Sequence, residues 1–260
     1  MLNLGIIGCG NIGRTIIRAI YEGKIDCKVS GVFDVNKDGY NIIPDEIKKQ
    51  VKFFDNFEEF INTDANLILE AASQQAVKAY AVPVLKHDKN LILMSVGALV
   101  DKNLFENIKK IARAKNLKIY IPSGAVVGID GVKAALLGGI ESVTLTTRKN
   151  PKGLGITTDY EKILFDGNAS DAVGKFPKNI NVAATLSLAG IGFRTTKVRI
   201  IADPNVRENI HEIRINGKFG EILTVAKNLP SPDNPKTSYL ASLAAIACLK
   251  KITSEIEIGT

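Results

Sequence analysis

Tryptophan is absent from this 260-residue chain, aromatic residues make up only 6% of it, and there are two histidines and three cysteines. Each scarcity excludes something. Platforms that stack nucleic-acid bases interleave aromatic and basic residues. Here 34 Lys and Arg are scattered among 27 Asp and Glu, so the net charge of +7 predicts a mild field that draws in small anions, and no nucleic-acid partner. Two histidines and the dispersed Cys9, Cys27 and Cys248 form no zinc-ligand spacing, which predicts no metal site. An odd number of cysteines in apolar surroundings predicts reduced thiols in a cytoplasmic protein rather than a disulfide framework. No apolar run reaches the roughly 18 residues that span a bilayer. "MLNLGIIGCGNIG" has neither a basic leader nor a cleavage-type site, so no membrane role and no signal peptide are expected.

What is present is an alternation. "LNLGIIG" reads as a strand and "CGNIGRTIIRAIYEG" as a helix. "CKVSGVFDVN" and "NLILEAAS" read as strands, followed by the helix "QQAVKAYAVPVLKHD", where Pro83 predicts a kink. "NLILMSVGALV" is a further strand, "NLFENIKKIARAKN" an amphipathic helix, and "LKIYIPSG" the last strand of the series. Strand–helix alternation at this spacing predicts an α/β fold: a Rossmann-type, doubly wound parallel sheet over residues 1–121. From residue 122 to 236 the pattern changes to a mixed α+β domain, a candidate for catalysis and dimerisation. "GGIESVTLTTRKNPKG" and "TTKVRIIADP" alternate β-branched residues, while "SDAVGKFP" and "NINVAATLSLAG" read as helices. "NIHEIRINGKFGEILTVAKNLP" reads as a hairpin turning at Asn216 and Gly217. Residues 237–260 hold a final helix, "YLASLAAIACLKKI". It is apolar on more than one face and therefore expected to be buried, on the first domain or at a subunit interface.

"GIIGCGNIG" carries Gly8, Gly10 and Gly13 directly after a strand and at the opening of a helix. The three serve a tight turn, close approach of the backbone to a pyrophosphate, and close helix–strand packing. The amides of Asn11 and Ile12 then face the phosphates at the positive end of the helix dipole. Asp34 follows Gly13 by 21 positions and ends the second strand, where a carboxylate accepts hydrogen bonds from the adenosine ribose. That acid favours NAD, because it would repel a 2′-phosphate. Lys37, three residues on, softens the preference and leaves NADP open. Past the third strand, Ala72 and Ser73 are candidates for the nicotinamide ribose, with helix capping by Ser73 as the alternative.

His211 lies in "DPNVRENIHEI". A period of two through His211, Ile213 and Ile215 puts the imidazole on the apolar face of a strand. Two readings fit that position: a satisfied core histidine, and a proton carrier presented to a ligand. His87, at the end of a helix among charged residues, reads as a surface histidine.

"FPKNINVAATLSLAG", "IIADPNVRENIHEI" and "DNPKTSYL", together with "GIIGCGNIG" and "IPSGAVVGIDG", resemble the L-aspartate dehydrogenase family of archaea and bacteria, in order and over nearly the whole chain. The resemblance implies NAD(P)-dependent oxidative deamination of L-aspartate to iminoaspartate. That product either hydrolyses to oxaloacetate and ammonia or passes on toward NAD biosynthesis. It also implies a homodimer, His211 as the catalytic histidine, and Ala125 and Asn181 as NAD-contacting residues. One departure is Arg194 in "GFRTTKV", where the family usually has an acid. The two substrate carboxylates require cationic or helix-terminal partners, and Ser123, Arg148, Lys149, Lys175 and Lys178 are the candidates. The rival readings are a two-domain reductase of the dihydrodipicolinate reductase or homoserine dehydrogenase type, and a non-catalytic NAD-binding sensor. Adjacent histidines are expected of the former reductase, whereas here His211 is followed by Glu212.

Overall fold

The apolar runs of the first half become six parallel strands: β1 (Leu2–Ile7), β2 (Cys27–Phe33), β3 (Phe53–Phe54), β4 (Leu67–Glu70), β5 (Asn90–Leu93) and β6 (Ile119–Tyr120). They are seen in a computed structural model that describes residues 2–176, 180–231 and 234–259. The strand order is β3-β2-β1-β4-β5-β6. The direction of winding therefore reverses between β1 and β4, the place where sheets of this kind bind nucleotides. The crossovers are α1 (Asn11–Tyr21), then the short α2 (Asp38–Asn41), α3 (Asp45–Lys48) and α4 (Phe57–Ile61), then α5 (Gln74–Lys86) and α6 (Lys102–Ala114). Residues 35–66 carry α2–α4 and β3, a stretch whose sequence pattern assigns no element. The helix α5 runs through Pro83 to Lys86, with His87 as its exposed C-cap residue.

Period-two alternation sorts the strand residues onto two faces. Leu4, Ile6, Leu67, Leu69, Ile92 and Met94 pack with Ile16 and Ile17 of α1, and α5 packs on β4 and β5. Backbone proximity divides the chain into two units, residues 1–122 with 245–257, and residues 123–244 with 258–260.

The second unit contains α7 (Ile129–Gly138), β7 (Ile140–Lys149), α8 (Pro151–Leu154), β8 (Lys162–Asn168), α9 (Ala169–Lys175), α10 (Asn181–Ala189), β9 (Lys197–Ala202), β10 (Asn209–Gly217) and β11 (Gly220–Asn228). The five strands form a mixed sheet, β11-β10-β7-β9-β8, parallel only at β7–β9. α7 packs on β7 and β10, α9 on β8 and β9, and α10 on both helices.

Two expectations change here. The hairpin turns at Lys218 and Phe219, because Gly217 still pairs with Gly220. Gly217 serves a close approach instead: a Cβ there would lie 2.4 Å from the carbonyl oxygen of Gly139, at a register shift between β10 and β7. The last helix, α11 (Tyr239–Thr253), is not buried all round. Ala245 and Leu249 join the core of the first unit, while Leu243 is exposed.

Candidate functional site

In the first unit the turn after β1 and the ends of β2 and β4 meet. Gly8 has φ +101°, and a Cβ on it would lie 2.8 Å from Cβ of Ala72. Only glycine meets both conditions. A Cβ on Gly13 would sit 2.1 Å from the carbonyl oxygen of Gly8, so α1 could not close onto β1. Gly10 differs: among the described residues a Cβ there meets nothing within 4 Å. Packing among the described residues does not require that glycine, which leaves its bare backbone on an open flank. Asn11 and Ile12 open α1 behind it.

The Asp34 carboxylate accepts the Cys9 amide through Oδ2 at 2.7 Å and the Asn36 amide through Oδ1 at 3.1 Å. Gly8, Asp34, Ala72 and Ser73 line one cavity of about 250 Å³, with Phe33 and Tyr80 in its wall. Their grouping, the left-handed Gly8 and the open flank of Gly10 fit a dinucleotide. Ser73 also caps α5, accepting the Ala76 amide at 3.1 Å.

Beneath this rim lies a residue that sequence reasoning passed over. Glu70, 1% exposed, ends β4. Its Oε1 accepts the amides of Ala72 and Ser73, both at 2.9 Å, and lies 2.9 Å from the Ser95 hydroxyl. Oε2 accepts the Ser95 amide at 3.0 Å. Burial raises its pKa, opposed by these hydrogen bonds. The available signal was an acid inside the apolar run "NLILEAAS".

In the second unit the inner face of the mixed sheet grades from apolar to polar. Val143, Leu145, Ile213 and Ile215 form one end. Thr147, Lys149, Asn209 and His211 continue the same buried phases of β7 and β10. His211 stands opposite Thr147 in the β7 register and Ala226 in the β11 register. Its Nδ1 is 3.0 Å from the Thr147 hydroxyl. The imidazole is 2% exposed, and burial, then the Lys149 charge, push its pKa down to about 3. Burial lowers the Lys149 pKa to about 8. One strand further, Asn228 pairs with Asn209 and donates through Nδ2 to the Ala125 carbonyl at 2.9 Å. The turn that holds Ala125 and the strand that holds His211 therefore share this polar end. Asn181 opens α10, after Ile180 at the cap position.

Comparison with known proteins decides the family. A family model described as "Aspartate dehydrogenase, C-terminal" matches residues 130–252, and one described as "Homoserine dehydrogenase, NAD binding domain" matches residues 8–122. An L-aspartate dehydrogenase of Methanosarcina mazei is 48% identical, and one of Methanocella arvoryzae 41% identical, each match covering 100% of both chains. The chain belongs to the L-aspartate dehydrogenase family. The crystal structure of aspartate dehydrogenase from Thermotoga maritima, 29% identical, superposes over 100% of both chains with a TM-score of 0.80. A myo-inositol dehydrogenase from Lactobacillus casei in complex with NAD(H), 14% identical, shares the fold with a TM-score of 0.59 over 100% of this chain and 88% of that one. The first unit is a pyridine-nucleotide-binding domain of an oxidoreductase.

Within this family member the candidate cations separate. The Arg148 guanidinium pairs with Glu161 and, at 2.6 Å, with Asp203. It is therefore occupied, and it belongs to the opposite phase of β7 from Thr147 and Lys149. The Lys175 ammonium lies 5.5 Å from the Phe165 ring centre. Arg194 is exposed, and Lys178 falls outside the described residues. Among the described ones of these cations, Lys149 alone is both buried and beside His211. Among the described residues no helix is long and apolar enough to cross a membrane.

Proposed function

We propose that this chain oxidises L-aspartate to iminoaspartate with NAD, releasing a proton, and that His211 is its general base. The observation that carries the substrate assignment is the end-to-end match to relatives named L-aspartate dehydrogenase, at 41–48% identity. NAD, when bound, supplies the acceptor for the hydride that leaves Cα. In this reading the Asn11 and Ile12 amides meet the pyrophosphate, Asp34 the adenosine ribose, and Ala72 and Ser73 the nicotinamide ribose. Ala125 and Asn181 meet the nicotinamide end, a carbonyl and an amide being suitable partners for a carboxamide. Each oxygen of Asp34 already accepts one backbone amide and keeps a second lone pair for a ribose hydroxyl. Its charge disfavours the 2′-phosphate of NADP.

The chemistry asked of the base fits its surroundings. If Nδ1 carries the proton and donates it to Thr147, Nε2 keeps the lone pair that takes a proton from the substrate amine or from water. Of the two influences that depress the imidazole pKa, burial is the larger. The second, the Lys149 charge, is one an anionic substrate would offset, since a carboxylate near Lys149 neutralises the charge that opposes protonation. General-base help of this kind is worth roughly 10²–10⁴-fold in rate.

We also read the enzyme as a homodimer. β11 is an edge strand, and its outer face and exit expose Leu223, Val225 and Leu229, an apolar strip suited to a second copy. Light scattering on the purified protein checks that point.

The experiment for the activity mixes protein and NAD with a panel of amino and hydroxy acids and follows the absorbance of reduced cofactor. Reduction with L-aspartate alone is the expected result. Turnover of a hydroxy acid, or cofactor binding without any turnover, would replace this reading with another dehydrogenase or with a sensor.

A further inference from the structure

Asn209 opens β10, two residues before His211 and in the same buried phase. It is 5% exposed, and among the described residues its Nδ2 has no hydrogen-bond partner. A buried amide donor without an acceptor is costly, and such groups in folded proteins call for an explanation. Elsewhere on this inner face the polar side chains are engaged: Thr147 with His211, and Asn228 with the Ala125 carbonyl. Asn209 and Lys149 lie immediately beyond the last register pair of their two strands, Ile210 with Arg148, and both belong to the buried phase that contains His211 and Thr147. The chain thus brings an amide donor and a buried ammonium to one end of one sheet face, about 7 Å along the strand from the imidazole. Donor and cation together are the chemistry that holds a carboxylate.

We propose that the side-chain amide of Asn209 and the ammonium of Lys149 form the subsite that binds a carboxylate of the substrate and selects a dicarboxylic amino acid. The assignment rests on the reading of His211 as the base at this end of the sheet. It also bears on the base. Burial is the larger reason the free imidazole pKa is low. A carboxylate bound beside Lys149 cancels the second reason, the charge that opposes protonation, so the base strengthens when substrate arrives. Substrates without the second carboxylate would leave the amide unsatisfied and the ammonium in place.

The test uses the full-length protein with NADH bound, and succinate as a dicarboxylate that cannot react. Wild type should bind succinate, followed by a change in reduced-nicotinamide fluorescence. Asn209→Ala and Lys149→Met should each weaken succinate binding and raise the KM for L-aspartate by about 10- to 100-fold, the range for losing a hydrogen bond to a charged group. The affinity for NADH should stay within about threefold. If Asn209→Ala fails to fold by circular dichroism, Asn209→Ser keeps a smaller polar group at the site and is expected to show the same selective loss. Succinate affinity and KM within threefold of wild type in these variants would overturn the proposal. So would a parallel loss of NADH affinity, or a wild-type enzyme that ignores succinate. His211→Ala separates the two readings: it should bind succinate and lose roughly 10²–10⁴-fold in turnover. Retained turnover in His211→Ala would defeat the role of the base, while selective loss in the Asn209 and Lys149 variants would still define the subsite.

Discussion

The Nδ1 nitrogen of His211 and the hydroxyl of Thr147 lie 3.0 Å apart, on directly opposed residues of two antiparallel strands. Strand register sets this contact, so the ring is held in orientation by the sheet itself. Thr147→Val keeps the shape and removes the partner. One buried nitrogen is then left unsatisfied, at a cost of about 1–3 kcal/mol. We expect kcat to fall about 10- to 100-fold with the KM for NAD unchanged, measured by steady-state kinetics. A variant with wild-type kcat would show that the threonine does not orient the base.

The same imidazole makes stability depend on pH in a direction that can be worked out. Its pKa is pushed from 6.5 to about 3 in the folded chain. Between those values the unfolded chain binds a proton that the folded chain does not. The contribution to stability is therefore complete above about pH 6.5 and is lost as pH falls toward 3, at about 1.4 kcal/mol per pH unit. His211→Gln removes this slope. Urea unfolding at about pH 7 and about pH 4.5 should show wild type losing more stability than the variant over that interval. Equal losses would mean that the ring is not held neutral by its surroundings.

Much of this arrangement was legible in the sequence, for identifiable reasons. The turn at Gly8, its close packing on Gly13 and the nearby Asp34 could be read because strand, turn and helix follow one another within 34 residues, so that spacing in sequence becomes proximity at one end of the sheet. The alternation in "VTLTTRK" marked β7 as a strand, and the period of two through His211, Ile213 and Ile215 assigned the apolar face of β10. The polar end of the sheet was hidden, because it is assembled by register between residues some 60 positions apart, such as Thr147 and His211. Lys149 looked equivalent to Arg148 until the fold separated them by phase: the arginine meets Asp203 and Glu161, and the lysine is buried. The helices α2–α4 have four or five residues each, too few to display a helical period. The hairpin tip was misread because Asn216–Gly217 is a good turn dipeptide, whereas here the glycine is needed for contact with Gly139.

Asp34 offers a test of cofactor choice. Its carboxylate holds the Cys9 amide at 2.7 Å, so the acid both braces the glycine turn and presents charge beside the cavity. Asp34→Ala should raise the KM for NAD about 10- to 100-fold, as expected for a lost charge-assisted hydrogen bond. The KM for NADP should rise less or fall, since the repulsion is gone. Lys37, poised over the Tyr40 and Phe53 rings, remains as a cation for the phosphate. Equal changes for both cofactors would show that the acid acts only on the turn.

Glu70 is the strictest test of the first unit. Three backbone amides and the Ser95 hydroxyl converge on one carboxyl group inside the protein, tying the turn after β4 to the segment after β5. Glutamine has nearly the same shape, but one of its two ends carries N–H donors, and at either end those meet a backbone N–H. Glu70→Gln is therefore expected to lose about 1–3 kcal/mol of stability despite the small change in size. It should also weaken NADH binding, because Ala72 and Ser73 on the cavity rim lose the acceptor of their amides. Glu70→Asp keeps the acceptors but shortens the reach, so its NADH affinity should lie between those of wild type and Glu70→Gln. Thermal melts and NADH titrations of the three proteins give the ranking. If Glu70→Gln melts with wild type and binds NADH as tightly, the buried carboxyl does not hold the rim.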